Sequence, residues 1–228
     1  MSPDSGAAPG LRLRSWTGTP YRFDPGALAL ELLPTGGPGP FARYEVLHEP
    51  ADLVGWARDC RLRPTPVLTV ARREVLAARR LRDALWQLAL ARVAGEDLPA
   101  AGLAALNAAA AHRPLVPALA ADGSRTFGEP ATGRQLLATV ARDAVELFAG
   151  PHAHRIRVCS AEDCSLVYVD TSRPGRRRWC AMEHCGNLHK ARALRARRTT
   201  AATADAATAD AGPRAGAGAD PEPGAEGA

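Results

Sequence analysis

Four cysteines fall as two matched pairs: Cys159 with Cys164 and Cys180 with Cys185, each pair enclosing four residues, with fifteen between the pairs. Thiolates suit a zinc ion in charge, in softness and in tetrahedral geometry. A short loop within each pair lets the chain curl so that both sulfurs face one ion. Fifteen residues are enough for a β-hairpin that returns the second pair to the same place. Leu166, Tyr168 and Asp170 alternate with Val167 and Val169 as a strand does. Ser172-Arg173-Pro174-Gly175 is turn chemistry, and Arg176 to Trp179 is expected as the return strand. The spacing points to structural Zn2+ closed by four thiolates. Two disulfides or four unrelated thiols are the plainer alternatives. No secretory leader is visible and nothing else resembles a cystine scaffold, which argues against the first. His152, His154, His184 and His189 flank the cysteines and are expected at the surface or behind the ligands, because four sulfurs already complete the shell.

Around these cysteines the chain is strongly basic. Residues 151–198 carry eleven Lys or Arg against four Asp or Glu, a net +7, whereas the whole chain is only +5. The cations are Arg155, Arg157, Arg173, Arg176, Arg177, Arg178, Lys190, Arg192, Arg195, Arg197 and Arg198. A guanidinium keeps its charge and donates two parallel hydrogen bonds to a phosphate. Asn187 and Arg192 also have the geometry to reach base edges, Asn pairing with adenine and Arg with guanine. From Gly186 onward a helix is expected, with cations all round it and a narrow apolar strip of Leu188, Ala191 and Leu194. That argues against a membrane-surface helix, which segregates its faces. A solvated helix reflecting arginine-rich codon usage is the bland alternative, but confinement of the excess to the cysteine region favours a polyanion partner. Trp179, beside a ligand cysteine, is expected to pack rather than to stack on bases.

Catalysis has no comparable support. The His-x-Glu with Pro-Cys-x-x-Cys of zinc deaminases is absent, as is the helical His-Glu-x-x-His of metalloproteases. Four thiolates leave no open position for water, and no nucleophile has an adjacent base. The fifth cysteine, Cys60, reads as an ordinary free thiol near a helix end. No enzyme is expected.

The elements that must position this site are mainly helical. Residues 1–20 read as a flexible leader, and Pro34 to Pro40 as a loop. A short helical turn starts at Asp52. A long helix from about Thr69 to Val93 shows a core stripe of Val75, Ala78, Leu81, Leu85 and Leu88, with the arginines at 72, 73, 79, 80 and 82 on its solvated side. Asp97 and Pro99 open another helix to about Ala111, and Asp122-Gly123 suggests a hairpin within 114–128. A final helix, Gly133 to Ala149, buries Leu136, Leu137, Val140, Ala144, Leu147 and Phe148. From Thr199 to Ala228 no large apolar residue remains, and a disordered acidic tail is expected. Fold class is therefore mainly α with short β elements: a helical domain over 21–150, a zinc-bound hairpin-plus-helix finger over 151–198, and the tail over 199–228. No window has the apolar length of a membrane span, and reduced cysteines make the cytoplasm the expected compartment.

Asp170-Thr171-Ser172-Arg173, Trp179-Cys180 and Cys185-Gly186-Asn187 resemble the C-terminal CGNR zinc finger of bacterial regulators. The order of the preceding helices is similar to the alanine-rich ABATE domain of the same family. The motif ends in arginine in that family, and here Leu188 replaces it, removing one cation while sparing the ligands. The resemblance implies a DNA-binding transcriptional regulator whose N-terminal domain senses a small-molecule effector or mediates self-association. The alternative is a zinc module that grips RNA or an acidic protein.

Overall fold

The computed structural model describes residues 10–15 and 17–210, with side chains described as far as Thr200. Its centre is helix α2 (Arg72–Ala94), which packs against α1 (Pro50–Asp59), α3 (Ala100–Ala110) and α4 (Gly133–Ala149). The expected stripe of Val75, Ala78, Leu81, Leu85 and Leu88 is buried in the main apolar core. Burying such side chains stabilises a fold by roughly 1.5–3 kcal/mol each. Glu74 caps the start of α2 by accepting the Ala71 amide, and Gly95 closes it in the left-handed conformation. Thr132 and Gln135 cap α4 reciprocally. Strand β3 (Leu68–Thr69) pairs in parallel with β6 (Ala131–Thr132), and β4 (Pro117–Leu119) with β5 (Arg125–Phe127) forms the hairpin expected at Asp122-Gly123.

The stretch read as a loop, Pro34 to Pro40, links 3₁₀ segments at Ala29–Thr35 and Gly39–Tyr44 that overlap its two ends. Between them Gly36 and Gly37 lie against α2. A Cβ on Gly37 would stand 2.6 Å from Trp86 Nε1, and the Trp86 indole donates to the Gly36 carbonyl. Arg82, expected on the solvated face, is instead the largest fully buried side chain. Its guanidinium holds both oxygens of Glu45 at 2.9 Å and also reaches the Thr35 carbonyl. A helical arginine stays inside when a bidentate carboxylate offsets the loss of water.

Two further expectations need correction. The leader gives way at Leu11 to strand β1 (Leu11–Arg14), paired antiparallel with β2 (Pro20–Phe23). The hairpin of the cysteine region is built from β7 (Ile156–Val158) and β8 (Val167–Val169), so the first cysteine pair lies in its connection. Arg176 to Trp179 is no strand among the described residues; its carbonyls are used one by one, by the Ser160 amide and the Tyr168 hydroxyl.

Strand β8 alternates between two cores. Val167 and Val169, with Ile156, join the helical core, while Tyr168 faces a smaller one formed with Phe23, Cys159, Cys180, Ala181 and Cys185. Packing is thus continuous across residue 150, and the chain clusters as one unit through Gly186. Gly26, at φ 87°, brings the turn after β2 onto β8, where a Cβ would meet Val169 at 3.2 Å. Helix α5 (Asn187–Asp210) forms the second unit. It runs into the compositionally simple segment, of which residues 211–228 lie outside the described residues.

Candidate metal centre

The four cysteines converge. Their sulfurs all lie within 4.8 Å of one another, with Cys164 and Cys180 at 3.7 Å and Cys180 and Cys185 at 3.5 Å. Four sulfurs about 2.3 Å from a tetrahedral zinc stand about 3.8 Å apart. A disulfide would need about 2 Å, so these are thiols posed as ligands. Cys159, Cys180 and Cys185 are buried and Cys164 is half-buried. Four thiols so close cannot all ionise unaided. Bonds from Cys164 and Cys180 favour the thiolate at Cys159, the same contacts hold protons on those two, and burial does so at Cys185. A divalent cation removes that conflict, and the all-sulfur, closed donor set fits structural zinc.

Local hydrogen bonds set each ligand. Cys159 donates its amide to Leu166, extending the hairpin, and Cys164 donates to Ala161 across the first loop. The Cys180 amide points at Cys159 Sγ (3.4 Å). In the second loop Met182–Gly186 is a wide π turn, closed by the Gly186 amide on the Ala181 carbonyl, which places Cys185 opposite Cys180.

Outside the ligands lies a shell that sequence reading missed. Phe23 is fully buried in the cysteine core, with Leu13 and Tyr21 packed on it. Tyr21 stacks on His184 with centroids 4.3 Å apart, and Glu183 accepts the Arg22 amide at 2.6 Å. Burial and the neighbouring cysteines push the Tyr21 phenol well above its ordinary range. His184 thus stands behind the ligands, as expected of the flanking histidines. The missed signal was the alternation Leu11-Arg12-Leu13-Arg14 and Tyr21-Arg22-Phe23, a period of two that marks half-buried strands.

The twelve expected nucleic-acid residues divide into groups. Arg155 and Arg177 are committed to the fold. Arg155 donates to the carbonyls of Asp170 and Ser172. Arg177 donates to the carbonyls of Trp179, Asp24 and Cys180, and its guanidinium lies 4.1 Å over the Tyr168 ring. Asp170, buried beneath, feels desolvation against its charge, but bonds from Ser172 and the Arg177 amide hold its carboxyl below the ordinary range. Arg157, Arg173, Arg176 and Arg178 are exposed, with Arg178 lying 5.2 Å from the Trp179 ring and Trp179 itself half-buried. Asn187, Lys190, Arg192, Arg195, Arg197 and Arg198 are exposed on α5, and Leu188 is half-buried there. Beside the metal centre is an open hollow of about 780 Å³ flanked by Arg22, Arg176, Arg177 and Arg178. The two acids lining it are engaged: Asp24 by Arg61 and the Gly26 amide, Glu183 by the Arg22 amide.

Cys60 is far simpler. It is fully buried in the helical core, where burial pushes its thiol up to about 11. Among the described residues no helix is long and apolar enough to cross a membrane.

Two family models match the chain in sequence order. Residues 26–151 match ABATE, described as a "putative stress-induced transcription regulator", and residues 155–198 match the CGNR zinc finger. Neither description names an enzyme. No curated protein matches the chain.

Proposed function

Because the chain belongs to the ABATE family and carries a CGNR zinc finger with a four-cysteine zinc site, we propose that it is a DNA-binding regulator of transcription. On this reading zinc folds the finger, the exposed arginines anchor it to phosphates, and the helical domain senses an effector or mediates self-association. The observation that carries it is the cationic hollow beside the metal centre, lined by four arginines against two acids, with Arg176 and Arg178 exposed. A groove with a net positive wall attracts a polyanion through counterion release. Helix α5 adds, further along the chain, a run of exposed cations with the polar side chain of Asn187 at its start. An intracellular location follows from that role.

The test is fluorescence anisotropy of labelled duplex DNA across a salt series. Affinity should fall with a slope of about −0.9 per phosphate neutralised. Arg176→Ala with Arg178→Ala should flatten that slope by about two units while zinc content stays unchanged. Tighter binding to RNA, or a salt-insensitive complex with protein alone, would favour the alternative of an RNA or acidic-protein partner and sink the DNA reading. Capture of genomic DNA by the tagged chain, with a quadruple Cys→Ser control, then identifies the operator.

A further inference from the structure

A second cavity lies between α2, α3 and α4. It measures about 490 Å³, within the range of small-molecule sites. Its floor is apolar: Ala77 and Leu81 from α2, Ala105 and Ala109 from α3, and Leu137 from α4. Its edge is cationic. Arg73 and Arg80 stand on the same face of α2 as Ala77, at steps of four and three, and Arg134 faces them from the first turn of α4.

The charge on that edge is not balanced. Among the described residues, the side chains of Arg73, Arg80 and Arg134 form no ion pair, whereas Arg61, Arg79 and Arg82 elsewhere in the helical domain all do. The one acid in the lining is Glu74, and both its oxygens are used: one accepts the Ala71 amide at 2.8 Å, the other the Arg134 amide at 3.2 Å. Gly133 is packed so tightly on this carboxylate that a Cβ there would stand 2.9 Å from Glu74 Oε2. The carboxylate therefore serves the helix starts and cannot swing out to the arginines. Three cations against one fixed carboxylate leave the rim net positive, which favours an anion in the hollow.

We propose that this cavity binds an amphipathic anion, with an apolar body on the α2–α3–α4 floor and one acidic head held by Arg73, Arg80 and Arg134. The head is a carboxylate, sulfonate or phosphate ester, since all three accept parallel bonds from guanidinium. The inference rests on the reading of the helical domain as a sensor and gives it a ligand class. Its test is independent of DNA.

The probe is 8-anilinonaphthalene-1-sulfonate, whose fluorescence on the full chain is displaced by decanoate or by decyltrimethylammonium, two tails of equal length with opposite heads. Decanoate should displace it at a concentration at least about tenfold lower, as expected for one charge-assisted bond. Arg80→Ala with Arg134→Ala, both exposed positions, should raise the decanoate requirement by at least about tenfold. Ala105→Trp, also at an exposed position, fills the hollow and should abolish displaceable fluorescence while the melting temperature holds. Equal displacement by both heads, or indifference to both variants, overturns the proposal. Loss of DNA binding alone would overturn only the regulator reading and leave this result standing.

Discussion

The helical core and the cysteine core meet at β8, yet they are held by different means. The first is broad: leucines, alanines and Trp86 from α1, α2, α4 and the first 3₁₀ segment, with the ion pairs Arg82–Glu45 and Arg61–Glu31 among them. The second has six buried members, of which three are cysteines. So few apolar side chains cannot offset the entropy of ordering their loops. Size decides which region needs an ion: the large core is self-sufficient, the small one depends on metal and on two strands borrowed from the N-terminal end.

The strongest way to break that comparison is to remove zinc. Structural zinc contributes on the order of 10 kcal/mol to folding of a small module, so chelation should collapse the cysteine core and leave the helices standing. Thiol titration at pH 8 reads this directly. The zinc-loaded chain should resist modification, the chelated chain should yield four thiols, and the buried Cys60 should react only in denaturant. Five reactive thiols after chelation would mean that the two cores are one cooperative unit.

A pair of substitutions sharpens it. Arg82→Ala leaves Glu45 without its bidentate partner and should cost about 3–5 kcal/mol of helical stability, seen by urea denaturation, with zinc affinity nearly unchanged. Phe23→Ala, also about 3–5 kcal/mol by cavity formation, should do the reverse and weaken zinc retention although Phe23 is no ligand. Equal effects of both on both readouts would erase the distinction.

Acid should separate the regions by the smallest margin. Thiolates protonate first, so zinc leaves as pH falls below neutrality. Glu45 follows. Burial opposes its charge, but the Arg82 guanidinium and the Leu47 amide outweigh burial and hold its carboxyl below the ordinary range. A group depressed in the fold stabilises it above the unfolded value, near ~4.3 for Glu, and loses that contribution as pH falls through the lower folded value. Two acid transitions are expected, metal release and then helical loss, resolved by following zinc and helical circular dichroism together.

What the sequence made legible were features with local signals. The cysteine spacing located the metal site, the three-and-four periodicity located α2 and α4, and Asp122-Gly123 located a hairpin. Features decided by distant partners were not legible. Arg82 shares the periodicity of its exposed neighbours, and its partner Glu45 lies 37 positions away. Phe23 reaches a core whose other members begin at Cys159. The return strand failed for a third reason: Arg176 to Trp179 is held by single bonds from the Tyr168 hydroxyl, the Arg177 fork and the Ser160 amide rather than by a ladder.

Because Val167 and Val169 serve one neighbour and Tyr168 the other, the finger is not transplantable as a cassette. A fragment starting at residue 151 would carry every ligand, yet it would leave two valines wet and lack the phenylalanine that fills its own interior. Grafting this module onto another regulator would require moving residues 11–26 with it, and shuffling of such genes should respect that linkage.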